Sequence, residues 1–271
     1  MKKLYTLLAL TITFSMNAQV STNSTSPIGI YASAMGNGTT ASGNESTAMG
    51  YDTTASGEAS TAMGYSTTSS AQASTAMGYG STASGIRSFA GGLYTVASGG
   101  GSFAFHSGTT ASGTNSTALG RVTVASDYAS VVIGQYNSSG SSATSANSFS
   151  TSAPAFVIGN GTSGNLSDAF KVMFNGDTTV SNDLTVIGDV VISSDARLKS
   201  NIVSLGSTLP KLLQIDGKSY EMKGQQKIGV LAQEIQEVFP ELVSEDDNEM
   251  LAVNYQGLVP VLINALKEQE S

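Results

Sequence analysis

From Ala32 to residue 140 the chain repeats itself every 14 residues, and the register never slips by one position. The unit Ser46-Thr-Ala-Met-Gly50 recurs as Ser60–Gly64 and Ser74–Gly78. It then drifts through Ser88-Phe-Ala-Gly-Gly92, Ser102-Phe-Ala-Phe-His106, Ser116-Thr-Ala-Leu-Gly120 and Ser130-Val-Val-Ile-Gly134, and Ala32-Ser-Ala-Met-Gly36 is the first of eight copies. Nine residues into each unit stands a second element, as in Ala41-Ser-Gly43, Ala55-Ser-Gly57 and Ala111-Ser-Gly113. Such a period is a structural constraint. It is too short for two helices and fits two short strands and two turns. Strand alternation puts Ser60, Ala62 and Gly64 on one face and Thr61, Met63 and Tyr65 on the other, with glycines supplying positive φ at the corners. Stacked coils make a β-solenoid in which each unit touches mainly its neighbours. Ordering one coil costs more than is returned by burying one Met among Ala, Ser and Thr. Ladder hydrogen bonds and burial against other chains have to make up the difference, which predicts an oligomer.

The run S-T-A-M-G-Y-x-T-T-A-S-G-x-A resembles the head repeats of YadA-like trimeric adhesins over residues 32–140. That resemblance implies a left-handed parallel β-roll, packed as a homotrimer, in a mainly β chain. It implies a scaffold rather than a ligand, so a surface ligand, glycan or protein, stays unnamed. The membrane-anchoring barrel and long coiled-coil stalk of those adhesins have no counterpart in the sequence. The paired threonines, such as Thr39-Thr40, Thr53-Thr54, Thr67-Thr68 and Thr109-Thr110, admit a rival reading as a flat ice-binding array. Ser81-Thr82, Tyr94-Thr95 and Val122-Thr123 interrupt it, and threonine is in any case a good strand former.

Ahead of the repeats, residues 1–18 read as a signal peptide: Lys2 and Lys3, an apolar Leu4–Phe14, then Ser15-Met16-Asn17-Ala18 before a cut at Gln19. The apolar stretch is too short to span a bilayer. The expectation is export, a secreted or cell-surface location and no membrane span afterwards, with residues 19–31 a linker. Composition narrows the chemistry. There is no Cys and one His, and the net charge is −8. Thiolate nucleophiles, disulfides and Cys- or His-cluster metal sites are thereby excluded. Nucleic acid is an unsuitable partner for an acidic chain without basic runs. Paired carboxylates for glycan hydrolysis are also missing from the repeats, where only Glu45, Asp52, Glu58 and Asp127 are scattered.

Residues 141–193 read as a connector. A Ser/Thr/Ala/Asn stretch over 141–153 is a loop. Ala155–Gly159, Ala169–Phe174, Thr179-Val180, Leu184–Ile187 and Asp189–Ile192 are strand candidates. Charge marks the next boundary: 11 charged side chains over residues 19–193, against 19 over residues 194–271.

The last segment carries Ser193-Ser194-Asp195-Ala196-Arg197-Leu198-Lys199, then Leu213–Tyr220, Ile228–Pro240, Leu251–Tyr255 and Gly257–Lys267. In order, these resemble the self-cleaving intramolecular chaperone of phage endosialidases across residues 193–271. The resemblance implies a small α+β domain that assists trimerisation of the preceding fibre and then cuts itself off without a cofactor. It makes Ser194 the nucleophile and Lys199 its base, through the pattern S-D-x-R-x-K. The chemistry stands independently of the name. A serine hydroxyl needs a base, a lysine can serve when its pKa is lowered, and this domain has no histidine. Asp195 and Arg197 orient the pair or form a structural one. A fibre that binds a surface without cutting is the other reading. Leu231, Ile235, Val238 and Phe239 predict a short helix ended by Pro240. Leu258, Val261, Leu262, Ala265 and Leu266 mark an amphipathic one. Glu245–Glu249 lacks the glycine and spacing of a calcium loop.

Overall fold

A computed structural model describes residues 24–245 and 249–270, and the chain divides into two compact units, one through Ile187 and one from Gly188. Residues 1–18, read as a signal peptide, and Asp246–Asn248 of the acidic run lie outside the described residues.

Each coil of the first unit gives one five-residue and one two-residue strand, as in Thr47–Tyr51 and Thr54–Ala55. Both stack in parallel on their equivalents one repeat away: Thr47 faces Thr61, Met49 faces Met63, and Thr40 faces Thr54. The result is a mainly β solenoid with an eight-stranded sheet of short strands and an eleven-stranded sheet that includes the long ones. The expected parallel β-roll is therefore the fold.

Its interior differs from the expectation in one respect. Ala48, Ala62, Ala76, Ala83, Ala97 and their equivalents are fully buried and form the core. The methionines instead share the outward face of the long sheet with threonine, half-exposed in the single chain. Period-two alternation is obeyed, and the interior between the two sheets holds only small side chains, Ala with Ser and Thr, and Val at Val132 and Val157. Interior hydroxyls fill the remaining space: Ser69 Oγ lies 2.6 Å from Ser74 Oγ, and Thr95 Oγ1 donates to Ser81 Oγ at 3.0 Å. The first threonine of each pair, Thr39, Thr53, Thr67 and Thr109, is also fully buried. A two-wide threonine array is thus not presented to solvent.

The role of glycine also differs. Several corners take positive φ with ordinary residues, among them Asp52, Ala59, Ser66 and Ala73 at 51–52°. Glycine is demanded where coils touch. At Gly50 (φ +125°) a Cβ would sit 2.0 Å from the Gly64 carbonyl oxygen, and at Gly43 a Cβ would sit 2.0 Å from that of Gly57.

The sheet does not stop with the last repeat. Pro154–Asn160 stacks in parallel on Val131–Gln135, and Val157 joins the alanine core. Asp168–Met173 and Thr178–Val180 follow antiparallel. The loop between is drawn in by Asp127, whose buried Oδ1 accepts from the Thr144 and Ser145 amides at 2.6 Å. Leu184–Ile187 and Asp189–Ile192, expected as strands, are irregular, with Ile187, Val190 and Val191 exposed. A strand needs a neighbour to pair with, and a single chain offers these segments none.

The second unit contains a short helix α1 (Leu209–Leu212), a hairpin of Lys218–Met222 with Gln225–Gly229, and α2 (Ala232–Val238). A second hairpin, Val243–Glu245 with Leu251–Val253, leads to the C-terminal helix α3 (Leu258–Gln269). Ile235, Phe239 and Val261 form its core. No helix among the described residues is long and apolar enough to cross a membrane.

Candidate functional site

The chain turns sharply just after Ser194. Asp195 caps a single 3₁₀ turn, Ala196–Leu198, by accepting from the Arg197 amide at 2.8 Å. Lys199 closes it, its own amide donating to the Ala196 carbonyl. That turn brings together side chains five residues apart: Lys199 Nζ donates to Ser194 Oγ at 2.6 Å. Asp195 and Arg197 pair with one another, Nη2 to Oδ2 at 2.6 Å and Nε to both carboxylate oxygens at 3.1 Å. The Arg197 guanidinium, bonded through its side chain and then its amide, holds the Asp195 carboxyl below its usual range, and the carboxylate raises Arg197 in turn. All four residues are exposed.

A hydroxyl within hydrogen-bond reach of an amine is what nucleophilic attack on a carbonyl needs at the start. The same geometry in open water leaves the pair solvated, so any chemistry here needs cover from elsewhere. A cleft of about 360 Å³ in this unit is lined by Tyr220, Met222, Leu231, Met250 and Tyr255, and neither Ser194 nor Lys199 lines it.

These features coincide with known families. Residues 28–95 and 111–137 match the YadA head domain repeat in five stretches, 28–53, 41–67, 55–81, 69–95 and 111–137, of which the first four overlap. Residues 194–244 match the chaperone of endosialidase, and that match opens at Ser194. In order, the chain carries a region similar to YadA head repeats and a segment similar to the endosialidase chaperone. Among curated proteins it is similar to long tail fiber protein Gp37 of Escherichia phage AR1, 36% identical over 96 residues, covering 31% of this chain and 9% of that protein. The Gp37 proteins of Enterobacteria phages K3 and T2 are each 36% identical over 90 residues, covering 29% of this chain and 7% of each. The chain therefore spans less than a tenth of the length of these relatives.

The head repeats offer a second surface that residue-by-residue reading passed over. The first and third positions of the long strands run Thr47, Met49, Thr61, Met63, Thr75, Met77, then Phe89, Gly91, Phe103, Phe105, Thr117, Leu119, Val131 and Ile133, all uncharged, and the fifth adds Tyr51, Tyr65, Tyr79, Leu93 and one charge, Arg121. Phe89 and Phe103 stack at 4.9 Å, and both reach Phe105. Gly91 makes this possible, since a Cβ there would lie within 2.8 Å of the Phe89 and Phe105 rings. The repeat itself was the available signal: Thr-Ala-Met-Gly changes at two positions to become Phe-Ala-Gly-Gly and at three to become Phe-Ala-Phe-His. His106, unassigned from sequence, is exposed against Phe105, ring centroids 4.8 Å apart.

Proposed function

We propose that this is an exported homotrimeric fibre of adhesin type, whose C-terminal segment, residues 194–271, promotes assembly and then cuts the chain at Ser194. The observation that carries the reading is the 2.6 Å Lys199–Ser194 contact at the first residue of the chaperone match.

Association is supported by the outward face of the long sheet. Parallel sheets occur almost only with both faces covered, and here one face is alanine core while the other is a Met/Thr/Phe surface whose only charge is Arg121 at a strand end. Helix α3 supports it too. Val261 and Ala265 pack inward, while Val259, Leu262, Ile263 and Leu266 face out. Three copies related by symmetry would cover both surfaces and shield the dyad from water.

In the reaction, Ser194 Oγ attacks the carbonyl carbon of an adjacent peptide bond while the Lys199 amine takes its proton. The C–N bond breaks as that proton passes to the leaving amine, and water then hydrolyses the ester, returning the Ser194 hydroxyl. No cofactor enters.

Intact mass of the full chain, followed over time beside Ser194→Ala and Lys199→Ala, tests the reading, with light scattering for the assembly. The parent is expected to shed its C-terminal segment while both variants stay whole and trimeric. A parent that stays intact removes the peptidase and leaves a trimerisation module. A monomer throughout removes the fibre.

A further inference from the structure

We infer that Asp195 is a positioning residue for the dyad, acting as the cap of the turn that carries Lys199 to Ser194; this rests on the dyad reading above. Among the described residues, no long-range hydrogen bond holds the two side chains together. Ser194 and Lys199 stand on either side of one 3₁₀ turn, and the whole arrangement is local to residues 194–199. A single turn of this kind is marginal alone, because one hydrogen bond fixes several dihedrals. Its two ends are therefore decisive. At the N-terminal end Asp195 Oδ1 receives both the Arg197 amide, at 2.8 Å, and Arg197 Nε, at 3.1 Å. At the C-terminal end the Lys199 amide closes on Ala196.

The ion pair is not there for domain stability. The Arg197 side chain is 89% exposed, and exposed pairs contribute little. What the pair does is geometric. Arg197 grips the carboxylate in a planar fork, which keeps Oδ1 aimed at the Arg197 amide, and the turn then sets the direction of Lys199. Asp195 touches neither reacting atom and acts through the backbone. It follows that the dyad is formed in each chain before assembly, and that association covers it instead of building it.

Asparagine caps a helical turn about as well as aspartate, and alanine does not. Asp195→Asn is therefore expected to cut within about twofold of the parent rate, and Asp195→Ala about fivefold more slowly, the population lost with an N-cap. Equal rates for Asn and Ala would overturn the assignment. A second measurement reads the turn without any cutting: hydrogen exchange of the full chain carrying Ser194→Ala. Adding Asp195→Ala should accelerate exchange at the Arg197 and Lys199 amides, and adding Asp195→Asn should not. Unchanged exchange with Asp195→Ala overturns the cap. A parent that never cuts, with the exchange result as expected, overturns the dyad and leaves the cap standing.

Discussion

Single residues in the repeat are held to different standards depending on which way the next coil presses. Gly50, with φ at +125° and the Gly64 carbonyl 2.0 Å from any added Cβ, has no room to change. Gly50→Ala should cost about 3 kcal/mol or more, since the new methyl and the unfavourable φ act together. Its equivalent two-thirds of the way along is His106, which occupies the same register position at φ +99°, paired with Gly120. His106→Gly should therefore stabilise the chain by about 1 kcal/mol, the strain relieved less the entropy that glycine adds to the unfolded state. Thermal unfolding of the two variants side by side reads both signs at once, and a destabilised His106→Gly would mean that the imidazole makes a contact worth more than the strain. The glycines were visible in the sequence as a column. Their reason was not, because turn corners and coil contacts both attract glycine, and only the distance to the next carbonyl separates them.

Elements show where the sequence spoke clearly and where it fell silent. Helices α2 and α3 of the C-terminal unit follow their apolar spacing, and Pro240 follows α2 as expected. What the stripe on α3 could not reveal was its division of labour: Val261 and Ala265 buried, Leu262 and Leu266 out. Replacing Leu262 and Leu266 together by Glu should leave the helix folded by circular dichroism and shift the mass by light scattering from three chains to one. An unchanged mass would place the association elsewhere. The end of α3 reaches back to the start of α1, where Glu268 accepts from Ser207 Oγ at 2.7 Å and from the Thr208 amide. Those two bonds, the Ser207 hydroxyl foremost, hold its carboxyl below the usual range. A depressed carboxyl contributes stability above its unfolded pKa and loses it as pH falls through the folded value. The α1–α3 junction should thus stay closed at neutral pH and loosen below about pH 4. Proteolysis at residues 206–212 across that range, beside Glu268→Gln, should show early cutting in the variant at pH 7. No spacing rule pointed to this link, since its partners lie 60 residues apart. The strands expected over 184–192 failed for the complementary reason: their pattern is right, and pairing is a property of two segments.

At the scale of the whole molecule, the period told almost everything about the first unit and nothing about its extent. The sheet continues through Pro154–Asn160 although 25 residues, not 14, separate Val131 from its partner Phe156. The parallel stack needs only a strand of the right length and a small interior side chain, here Val157 on Val132, and it accepts a detour as long as something like Asp127 gathers the loop. Between residues 33 and 135, in contrast, no such detour exists, and each coil advances the stack by about 4.8 Å, the spacing of the Tyr65 and Tyr79 rings. Length in this region is therefore counted in whole units. Removing residues 60–73 would join Ala59 to Ser74, restore every pairing, and shorten the stack by a single rung. Removing half as many would set corners against strands. Thr47–Tyr51, Thr61–Tyr65 and Thr75–Tyr79 are identical in sequence, so a slip between copies produces an in-register product by default. The distance over which such a fibre reaches is a digital quantity, one that heredity can lengthen or trim a rung at a time without redesigning a single contact.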